Sequence, residues 1–302
     1  MKKLMLLLTF TVVGFMLIAN ASAKTIVTDG LVSYWTFDRT NIKDRTVEDV
    51  WGENNATIVG NPKIAGGYLK QGLELDGVGD YVSLPNVGNF GSRIGPYTFE
   101  AWFKTSYKKR WSAIYKVNEW PCRINNSGYG ILINAAWARG VADHILETKE
   151  DSIMIERNEK TGGGCAGGSS VRELAISDSV WHHIVYTTRK PTQEELAKLR
   201  HLHGKENCLT SYVYIDNEPF WWSVSCTSLN DIRPYTQPIF LGAVNHNGKA
   251  SGFFQGVFDE VRIYDRALTH EEVIRNYESG IGLSVEPAQK LPTVWGALKA
   301  KR

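Results

Sequence analysis

Apolar and polar residues alternate over short stretches along most of this chain, and a period of two is typical of a β-strand with one buried face. In YTFEAWFK at residues 97–104, the apolar side chains from Tyr97 to Phe103 would share one face, with Glu100 and Lys104 on the other. Similar stretches, separated by Gly, Asn, Asp and Pro, are LVSYWTF, YVSL, SAIYKV, YGILINA, SIMIER, HHIVYTT, SYVYI, FWWSV and PIFLGAV. So many short strands in one chain predict an all-β fold, built as a sandwich of two antiparallel sheets.

Two segments depart from this alternation and predict short helices. PTQEELAKLRHLHG, within residues 191–205, has Thr192 at the N-cap position and Glu195 three residues later, which is a capping box. LTHEEVIRNYESG repeats this pattern with Thr269 and Glu272 and ends at a glycine. The apolar side chains of the second helix would pack on the sandwich.

The two ends of the chain differ in composition from its middle. Residues 1–23 combine a basic start, a 16-residue apolar run and an A-S-A cleavage site, which predict a cleaved signal peptide. An uncleaved membrane anchor is the alternative. Residues 284–302 contain prolines and predict a flexible tail. The domain is therefore expected at 24–283, in a protein that is secreted or held at the cell surface.

The charge balance excludes some classes of partner. The chain has 34 basic and 32 acidic residues, and removing residues 1–23 takes away Lys2 and Lys3 and leaves 32 of each. A mature chain of zero formal charge lacks the basic face on which nucleic-acid binding depends. No stretch outside the signal peptide predicts a membrane span.

The mature part holds four cysteines, Cys122, Cys165, Cys208 and Cys226. An even number in an exported protein predicts two disulfides, and four cysteines allow three pairings. Cys208 and Cys226 are equidistant from Asn217 in a predicted hairpin, so they would face each other across its strands. A two-residue Asp-Asn turn would shift the register by one and would then require a β-bulge. Cys122 would then pair with Cys165, and zinc is disfavoured because the chain has no C-x-x-C.

Several segments, taken in order, resemble a known family. They are GLVSYWTFD, GLELDGVGDYVSLP, YTFEAWFK, WHHIVYT, YVYIDNEP and FDEVRIYDRALTHEEV, and they cover residues 30–278. Together they resemble the LamG-like jelly roll of the concanavalin A-like lectin/glucanase superfamily, which implies two packed antiparallel sheets. The chain departs from that family by inserting the 191–205 helix and a long segment around 118–170. Its tail is similar to a short C-terminal element of some secreted bacterial proteins.

The resemblance also implies a calcium site. It places a calcium ligand at Asp259, which opens the strand FDEVRIY, with a second acid from the first strand, here Asp38. Backbone carbonyls complete such sites, and Gly60 is the candidate donor. The ion would be structural, since it would tie the first strand to the last. In the alternative, Asp259 makes a strand-end hydrogen bond or pairs with Arg262 or Arg266.

Catalysis is not expected. The glucanases of this superfamily carry three carboxylates on one strand in the pattern E-x-D-x-x-E. ELDGVGD matches with Glu74 and Asp76 but has Gly79 at the third position, so the general acid/base is missing. In the alternative, ELDGVGD is not a catalytic site but a strand followed by a Gly-rich turn. A hydrolase or lyase that uses other acids, such as Glu147, Glu150 or Glu156, remains a rival.

Tryptophans are the candidate ligand contacts, since an exposed indole stacks on the C–H face of a sugar ring. Trp221 and Trp222 are adjacent in a strand, so one faces outward, and Trp120 and Trp137 flank the long inserted segment. Core packing is the alternative for each. The chain is therefore predicted to be a non-catalytic module that binds an extracellular glycan through Trp120, Trp137 and Trp222. The third possibility is a structural or adhesive protein that binds a surface protein.

Overall fold

A computed structural model gives the fold of the 302-residue chain. The structure describes residues 25–87, 90, 95–117, 128–137, 146–161, 164–198, 208–226, 237–246 and 248–279. The predicted signal peptide, the predicted tail, Trp120 and Cys122 lie outside these residues.

Nearly all of the regular structure is β. In chain order the strands are β1 Leu31–Trp35, β2 Ile42–Lys43, β3 Thr46–Val47, β4 Ala56–Val59, β5 Lys63–Gly66, β6 Gln71–Asp76, β7 Tyr81–Leu84, β8 Tyr97–Lys104, β9 Ser112–Val117, β10 Gly128–Trp137, β11 Leu146–Thr161, β12 Gly164–Glu173, β13 Trp181–Arg189, β14 Cys208–Ile215, β15 Glu218–Cys226, β16 Ile239–Leu241, β17 Val244–His246, β18 Lys249–Ser251 and β19 Gln255–Tyr264. The α-helices are α1 Gln193–Lys198 and α2 His270–Tyr277, and Arg39–Asn41 form one 3-10 turn.

The strands form two sheets. Sheet I has the order β15-β14-β13-β8-β19-β6-β5, with β1 also paired to β19. Sheet II has the order β12-β11-β10-β9-β16-β7-β4-β3-β2, with β17 joined to β9 and β18. Within the described part of the chain, the strand pairs are antiparallel except β17 with β9. The predicted two-sheet sandwich with two short helices is confirmed.

The hydrophobic core lies between the sheets. Tyr97, Phe99, Ala101 and Phe103 all point into it, as the alternation of YTFEAWFK predicts. A second apolar cluster covers the outer face of sheet I, where the segment around Ile26 and Val273 of α2 pack. Sheet I is therefore buried on both faces over much of its area, and this explains why Glu100, on its outer face, is also buried.

The chain enters and leaves sheet I at neighbouring points. β1 pairs antiparallel with β19, the last strand. The backbone amide of Val27 donates to the side-chain oxygen of Asn276 at 2.7 Å, and Arg275 donates to the carbonyl of Thr25 at 2.8 Å. The first segment of the domain is thus bonded directly to its last helix.

The hairpin β14–β15 has the two-residue turn and the β-bulge that were the alternative to a turn centred on Asn217. Asp216 and Asn217 form a two-residue turn in which both residues have positive φ, at 49° and 66°, as a type I′ turn requires. A bulge follows between Val213 and Tyr214, and it restores a register in which Cys208 lies directly opposite Cys226. Cys165 lies on β12, opposite Lys160.

Other local predictions were partly wrong. The segment at 164–173 was not among the predicted strands, but it is strand β12 and pairs with β11. PIFLGAV divides into β16 and β17, because Gly242 between them has φ +83°. Both capping boxes are present, at Thr192 with Glu195 and at Thr269 with Glu272. Among the described residues, no helix has the length and apolar character needed to cross a membrane.

Candidate functional site

The outer face of sheet I carries its polar chemistry in rows that cross the strands, because residues directly opposite each other in a ladder share a face. One row, here called the carboxylate row, runs from Tyr34 through Arg262 and Glu100 to Val185 and Tyr214. A second, here called the aromatic row, runs Tyr264, Thr98, Thr187, Tyr212 and Trp222. Of the predicted site residues, Trp222 lies in the aromatic row, and Asp259 lies on β19 beside the carboxylate row.

A β-bulge explains why β19 carries two acids in succession. Asp259 is opposite Trp102 and Arg262 is opposite Glu100, so β19 has one residue more than β8 in this interval. Glu260 takes up the extra residue, with φ +52°. A bulge turns successive side chains out of strict alternation. Asp259 and Glu260 consequently both lie outside the sandwich core.

Glu260 and Glu100 are held by one buried cation. The Arg262 guanidinium contacts Glu260 and donates to Glu100 at 2.8 Å, and Tyr34 donates its hydroxyl to Glu260. His183 and Asn276 also bond Glu100, at 2.8 and 2.7 Å. This cluster is a structural tie between β1, β8, β19 and α2.

The pKa values of the two glutamates diverge. Burial acts to raise the pKa of Glu100, but Arg262 and His183 outweigh it and hold that pKa below its usual value. Burial raises the pKa of Glu260 despite its contact with Arg262. Of the two glutamates that contact Arg262, Glu100 is therefore the more readily ionised.

Asp259 and Asp38 meet at the turn between β5 and β6. Asp259 accepts a hydrogen bond from the amide of Leu69 at 2.9 Å, and Asp38 accepts one from Gln71 at 3.3 Å. Gly67 allows this close approach, because a Cβ there would lie 2.5 Å from the Asp259 carboxylate. The Lys70 ammonium is 3.3 Å from Asp38, but its side chain is largely exposed. The structure thus brings the two predicted acids to one turn.

The donor set at this turn fits a cation. Burial, followed by the charge of Glu260, raises the pKa of Asp259 to about 9, so a positive charge here would relieve a large desolvation cost. Among the described residues no group of three or more His, Cys, Asp or Glu side chains is placed to hold a metal. Two carboxylates are fewer than a calcium ion needs, so any ion bound here would take the rest of its six to eight oxygens from carbonyls and water.

Gly60 lies elsewhere. A Cβ built on Gly60 would meet Asp80, and its carbonyl accepts a hydrogen bond from Arg45 at 3.1 Å. Asp259 instead contacts the turn at 67–69. The structure therefore does not bring Gly60 to the two acids, and any carbonyl ligand would come from the 66–70 turn. The alternative ion pairs are also accounted for, since Arg262 bonds Glu100 and Arg266 bonds Glu272.

The aromatic row ends in an exposed indole. Trp222 is 51% exposed, the most of any tryptophan in the described part of the chain, whereas Trp221 is 7% exposed and packs in the core. The Tyr212 ring lies 6.5 Å from Trp222 with 25° between their planes, and Tyr214 continues the series at 6.3 Å and 23°. His270 of α2 follows at 5.3 Å from Tyr214. These rings are close to parallel.

Tyr212 is fixed by charged neighbours. Its hydroxyl donates to Glu195 at 2.8 Å and accepts from Arg189 at 2.9 Å, and the Arg189 guanidinium lies 5.2 Å from the ring centre. The hydrogen bonds from Arg189 lower the pKa of Glu195 to about 2. α1, which carries Glu195, thereby positions one side of the aromatic row. The alternating aromatics of SYVYI and the WW pair were the sequence signal for this row.

The other candidate residues either stabilise local structure or have side chains that the structure does not describe. Trp120 is outside the described residues, and of Trp137 only the backbone, in β10, is described. Asp76 accepts hydrogen bonds from the amides of Val78, Gly79 and Asp80 at 2.7, 3.0 and 3.3 Å. ELDGVGD is therefore a strand with an Asp-closed turn.

The paired histidines lie on opposite faces of β13. His182 is opposite Phe103 of the core face and bonds Asp216 at 2.8 Å and Asp178 at 3.2 Å. His183 is opposite Trp102 and bonds Glu100. The two imidazoles therefore do not converge on one point.

The sequence and the fold were compared with known proteins. A family model described as the concanavalin A-like lectin/glucanases superfamily matches residues 76–274, more than half of the 302-residue chain. No relative among the curated proteins matches.

Several solved structures share the fold. Domain 4 of AbnA, a GH43 extracellular arabinanase from Geobacillus stearothermophilus, in complex with arabinotriose, superposes with a TM-score of 0.53 at 17% identity, over 82% of this chain and 98% of that one. The binding domain of Paraclostridial Mosquitocidal Protein 1 gives 0.52 at 16%, over 82% and 52%. A Trypanosoma rangeli sialidase mutant displaying trans-sialidase activity gives 0.54 at 16%, over 85% and 34%. This chain thus spans about half of the mosquitocidal binding domain and a third of the sialidase. At these identities the similarity is one of fold.

Proposed function

This chain belongs to the concanavalin A-like lectin/glucanases superfamily, and on that basis we propose that it is a secreted, non-catalytic module that binds extracellular carbohydrate. The observation that carries the proposal is the exposed indole of Trp222, which ends a series of nearly parallel rings with Tyr212, Tyr214 and His270. A fold supports many functions, so this surface, and not the fold, supports the choice of ligand.

The aromatic row has the properties of a sugar-binding platform. A sugar ring presents a patch of C–H groups that stacks on an aromatic face, and its hydroxyls need polar partners at the rim. Trp222 and Tyr212 would supply the flat apolar surface. Glu195 and Arg189, beside the Tyr212 hydroxyl, would supply a charged rim. Because Tyr212 is held by two hydrogen bonds, little conformational freedom would be lost on binding.

The comparisons support a binding role in general terms. The AbnA domain holds arabinotriose, and the mosquitocidal domain is a binding domain. Because one structural neighbour is a sialidase, an enzyme is the first alternative to a binding module. In ELDGVGD, however, Asp76 closes a turn through three backbone amides. A protein ligand is the second alternative, and the test below separates it from a glycan.

We also propose that Asp38 and Asp259 share a structural calcium ion. The ion would bridge Asp38, three residues after β1, to Asp259, which precedes the bulge of β19, across the 66–70 turn. The carboxylates of Asp38 and Asp259 are both buried, and the buried carboxylate of Glu260 is close enough to raise the pKa of Asp259. Because the Asp259 side of this site is buried, the ion would stabilise the fold and would not contact the glycan.

A glycan array screened with and without calcium tests the proposal. We expect the mature protein to bind one group of neutral glycans, arabino-oligosaccharides being the first probe, with binding kept when calcium is chelated at a temperature where the protein stays folded. Binding to no glycan, together with saturable binding to a purified surface protein, would favour the protein-binding alternative. Release of reducing ends from a bound glycan would instead identify an enzyme.

A further inference from the structure

One row on the outer face of sheet I is left uncovered. Lys63 lies opposite Glu74, Glu74 opposite Val257, Val257 opposite Lys104, and Lys104 opposite Trp181. With about 4.8 Å between neighbouring strands, this open row is about 19 Å long. It crosses five strands and ends in an aromatic side chain.

The neighbouring rows are covered by other parts of the chain. Tyr68 of the 66–70 turn stacks on Trp102 with ring centres 3.4 Å apart. Asn276 and Tyr277 of α2 lie against Glu100 and Trp102. The Tyr68 ring also lies 6.3 Å from that of Trp181, at one end of the open row. Among the described residues, the rest of the row, from Lys63 to Lys104, has neither of these covers. Its first four residues, Lys63, Glu74, Val257 and Lys104, line a cleft of about 620 Å³, which is within the usual range for a small-molecule site.

The cleft is lined by both hydrogen-bond donors and acceptors. Its walls carry Asn61, Asp76, Asp80, Ser106, Ser179 and Gln255. Asp76 and Asp80 are committed to backbone amides of the turn and of Asn61, so their positions are fixed. Lys104 lies with its ammonium 5.0 Å from the Trp181 ring centre. Lys63 and Glu74 are exposed and form no ion pair with any described residue.

The order of charges along the open row restricts the ligand. An anionic ligand would meet Glu74 between the two lysines, and a cationic ligand would meet Lys63 and Lys104 on either side of Glu74. Like charges at close range disfavour binding. A neutral ligand whose hydroxyls both donate and accept satisfies all three groups at once. Val257, on the floor, is only 7% exposed, so the polar side chains around it would make most of the contacts.

We propose that this cleft binds a neutral, hydroxyl-rich saccharide unit, with Lys63, Glu74 and Lys104 as its hydrogen-bonding contacts. The inference rests on the proposed function, since it adds a second contact region for the same class of ligand. The cleft is separate from Trp222, because Trp181 and Thr187, the residue in the Trp222 row, are six residues apart along β13, or about 20 Å.

Calorimetric titration of the full mature protein tests the cleft. The probes are arabinotriose, xylotriose and cellotriose as neutral saccharides, and trigalacturonate as an anionic one. Glu74→Ala and Lys63→Ala remove exposed side chains and should leave the melting temperature unchanged. We expect each to weaken binding of at least one neutral trisaccharide by tenfold or more. Glu173→Ala, at a carboxylate that is 84% exposed on β12, is the matched control and should bind as the wild type does.

The outcomes separate this inference from the proposed function. Wild-type affinity in both cleft variants, with binding lost in Trp222→Ala, would overturn the cleft and leave the proposed function standing. Tighter binding of trigalacturonate than of every neutral probe would overturn the charge argument. A wild-type protein that binds none of the trisaccharides, and no glycan on the array, would overturn both.

Discussion

The Glu100 carboxylate and the Arg262 guanidinium lie 2.8 Å apart on adjacent strands, with side chains that are 0% and 1% exposed. Arg262 is also the cation that contacts Glu260, the residue of the β19 bulge. A buried pair of this kind contributes little net stability when intact, but the loss of one partner leaves an unpaired charge in the interior. Arg262 therefore stabilises two carboxylates and the bulge together.

Replacing that cation should be severely destabilising. We expect Arg262→Met to lower the free energy of unfolding by about 3–5 kcal/mol, because Glu100 and Glu260 would remain buried without a counter-charge. Urea denaturation followed by tryptophan fluorescence measures the change. Lys198→Met, which removes a cation from the exposed pair with Glu194, is the control and should change stability by less than about 0.5 kcal/mol. Equal stability of Arg262→Met and Lys198→Met would show that the cluster around Arg262 does not stabilise the fold.

Trp222 should matter for binding and not for folding. Because its indole is half exposed, we expect Trp222→Ala to keep the wild-type melting temperature within about 2 °C. Affinity for the best glycan of the array should fall at least tenfold, or about 1.4 kcal/mol. The control is Trp51→Ala, which removes the other exposed tryptophan, 38% exposed and bonded to Leu31. Unchanged affinity in Trp222→Ala would remove the aromatic row from the site.

Calcium should raise the melting temperature. An ion that binds the folded state stabilises it by RT ln(1 + [L]/Kd), or about 2.7 kcal/mol at a hundredfold excess over Kd. For a domain of this size that is a shift of about 5–10 °C. Scanning fluorimetry with calcium and with a chelator measures it.

Two aspartate variants locate the ion. Asp259→Asn should remove most of the calcium-dependent shift, since it takes away one of the two carboxylates at the 66–70 turn. Asp265→Asn alters an exposed acid a few residues away on the chain and should keep the shift. A chelator that leaves the wild-type melting temperature unchanged would return Asp259 to the role of a strand-end hydrogen-bond acceptor.

His182 should make stability depend on pH. Burial acts to lower its pKa, but hydrogen bonds to Asp216 and Asp178 outweigh this and raise the pKa above its usual value. A folded-state pKa above the unfolded one means that the stabilisation is fully present below the unfolded value of about 6.5. It is lost as the pH rises through the folded-state pKa.

Urea unfolding between pH 5.5 and 9 checks the sign of this effect. The wild type should lose stability across that interval, and His182→Gln should show a smaller dependence. His270→Gln, at a histidine bonded to the carbonyl of Asn217, is the matched variant and should keep the wild-type slope. The same slope in all three proteins would exclude His182 as the source.

The hairpin should be closed by a disulfide. Cys208 and Cys226 are directly opposite residues of the β14–β15 ladder, and a crosslink over a loop of that length contributes about 3 kcal/mol. Non-reducing peptide mapping should link these two cysteines, and Cys122 to Cys165. A peptide that joins Cys122 to Cys208 would contradict the assignment. Cys208→Ser with Cys226→Ser should cost about 3 kcal/mol in urea denaturation.

Two short strands were predictable from the sequence with their exact bounds. YVSL is β7 and SAIYKV is β9 with the same bounds. β12 was not predictable, because GCAGGSSVRE has little intrinsic strand propensity and depends on its pairing with β11. The hairpin bulge, in which Phe220 of β15 is the extra residue, was predictable only for a two-residue turn, since it follows from that turn length and the cysteine positions.

The site was predictable only in part. The proximity of Asp38 and Asp259 follows from the resemblance, and the outward face of Trp222 follows from alternation. The bulge at Glu260 was not evident, because FDEVRIY gives no local signal for an extra residue such as a glycine. The partners of Glu100 could also not be predicted from the sequence, since Arg262, His183 and Asn276 come from three separate elements. Such long-range burial depends on the assembled fold.

The pairing of β1 with β19 bears on how this domain can be joined to other proteins. Val27 and Asn276 are bonded to each other, so the polypeptide enters and exits the sandwich at adjacent points. A unit of this kind can be inserted into a surface loop of a host, or circularly permuted, with little strain on either partner. The domain could therefore be moved as one unit into a different protein, by evolution or by engineering. Trp222 would still lie at the opposite edge of its sheet.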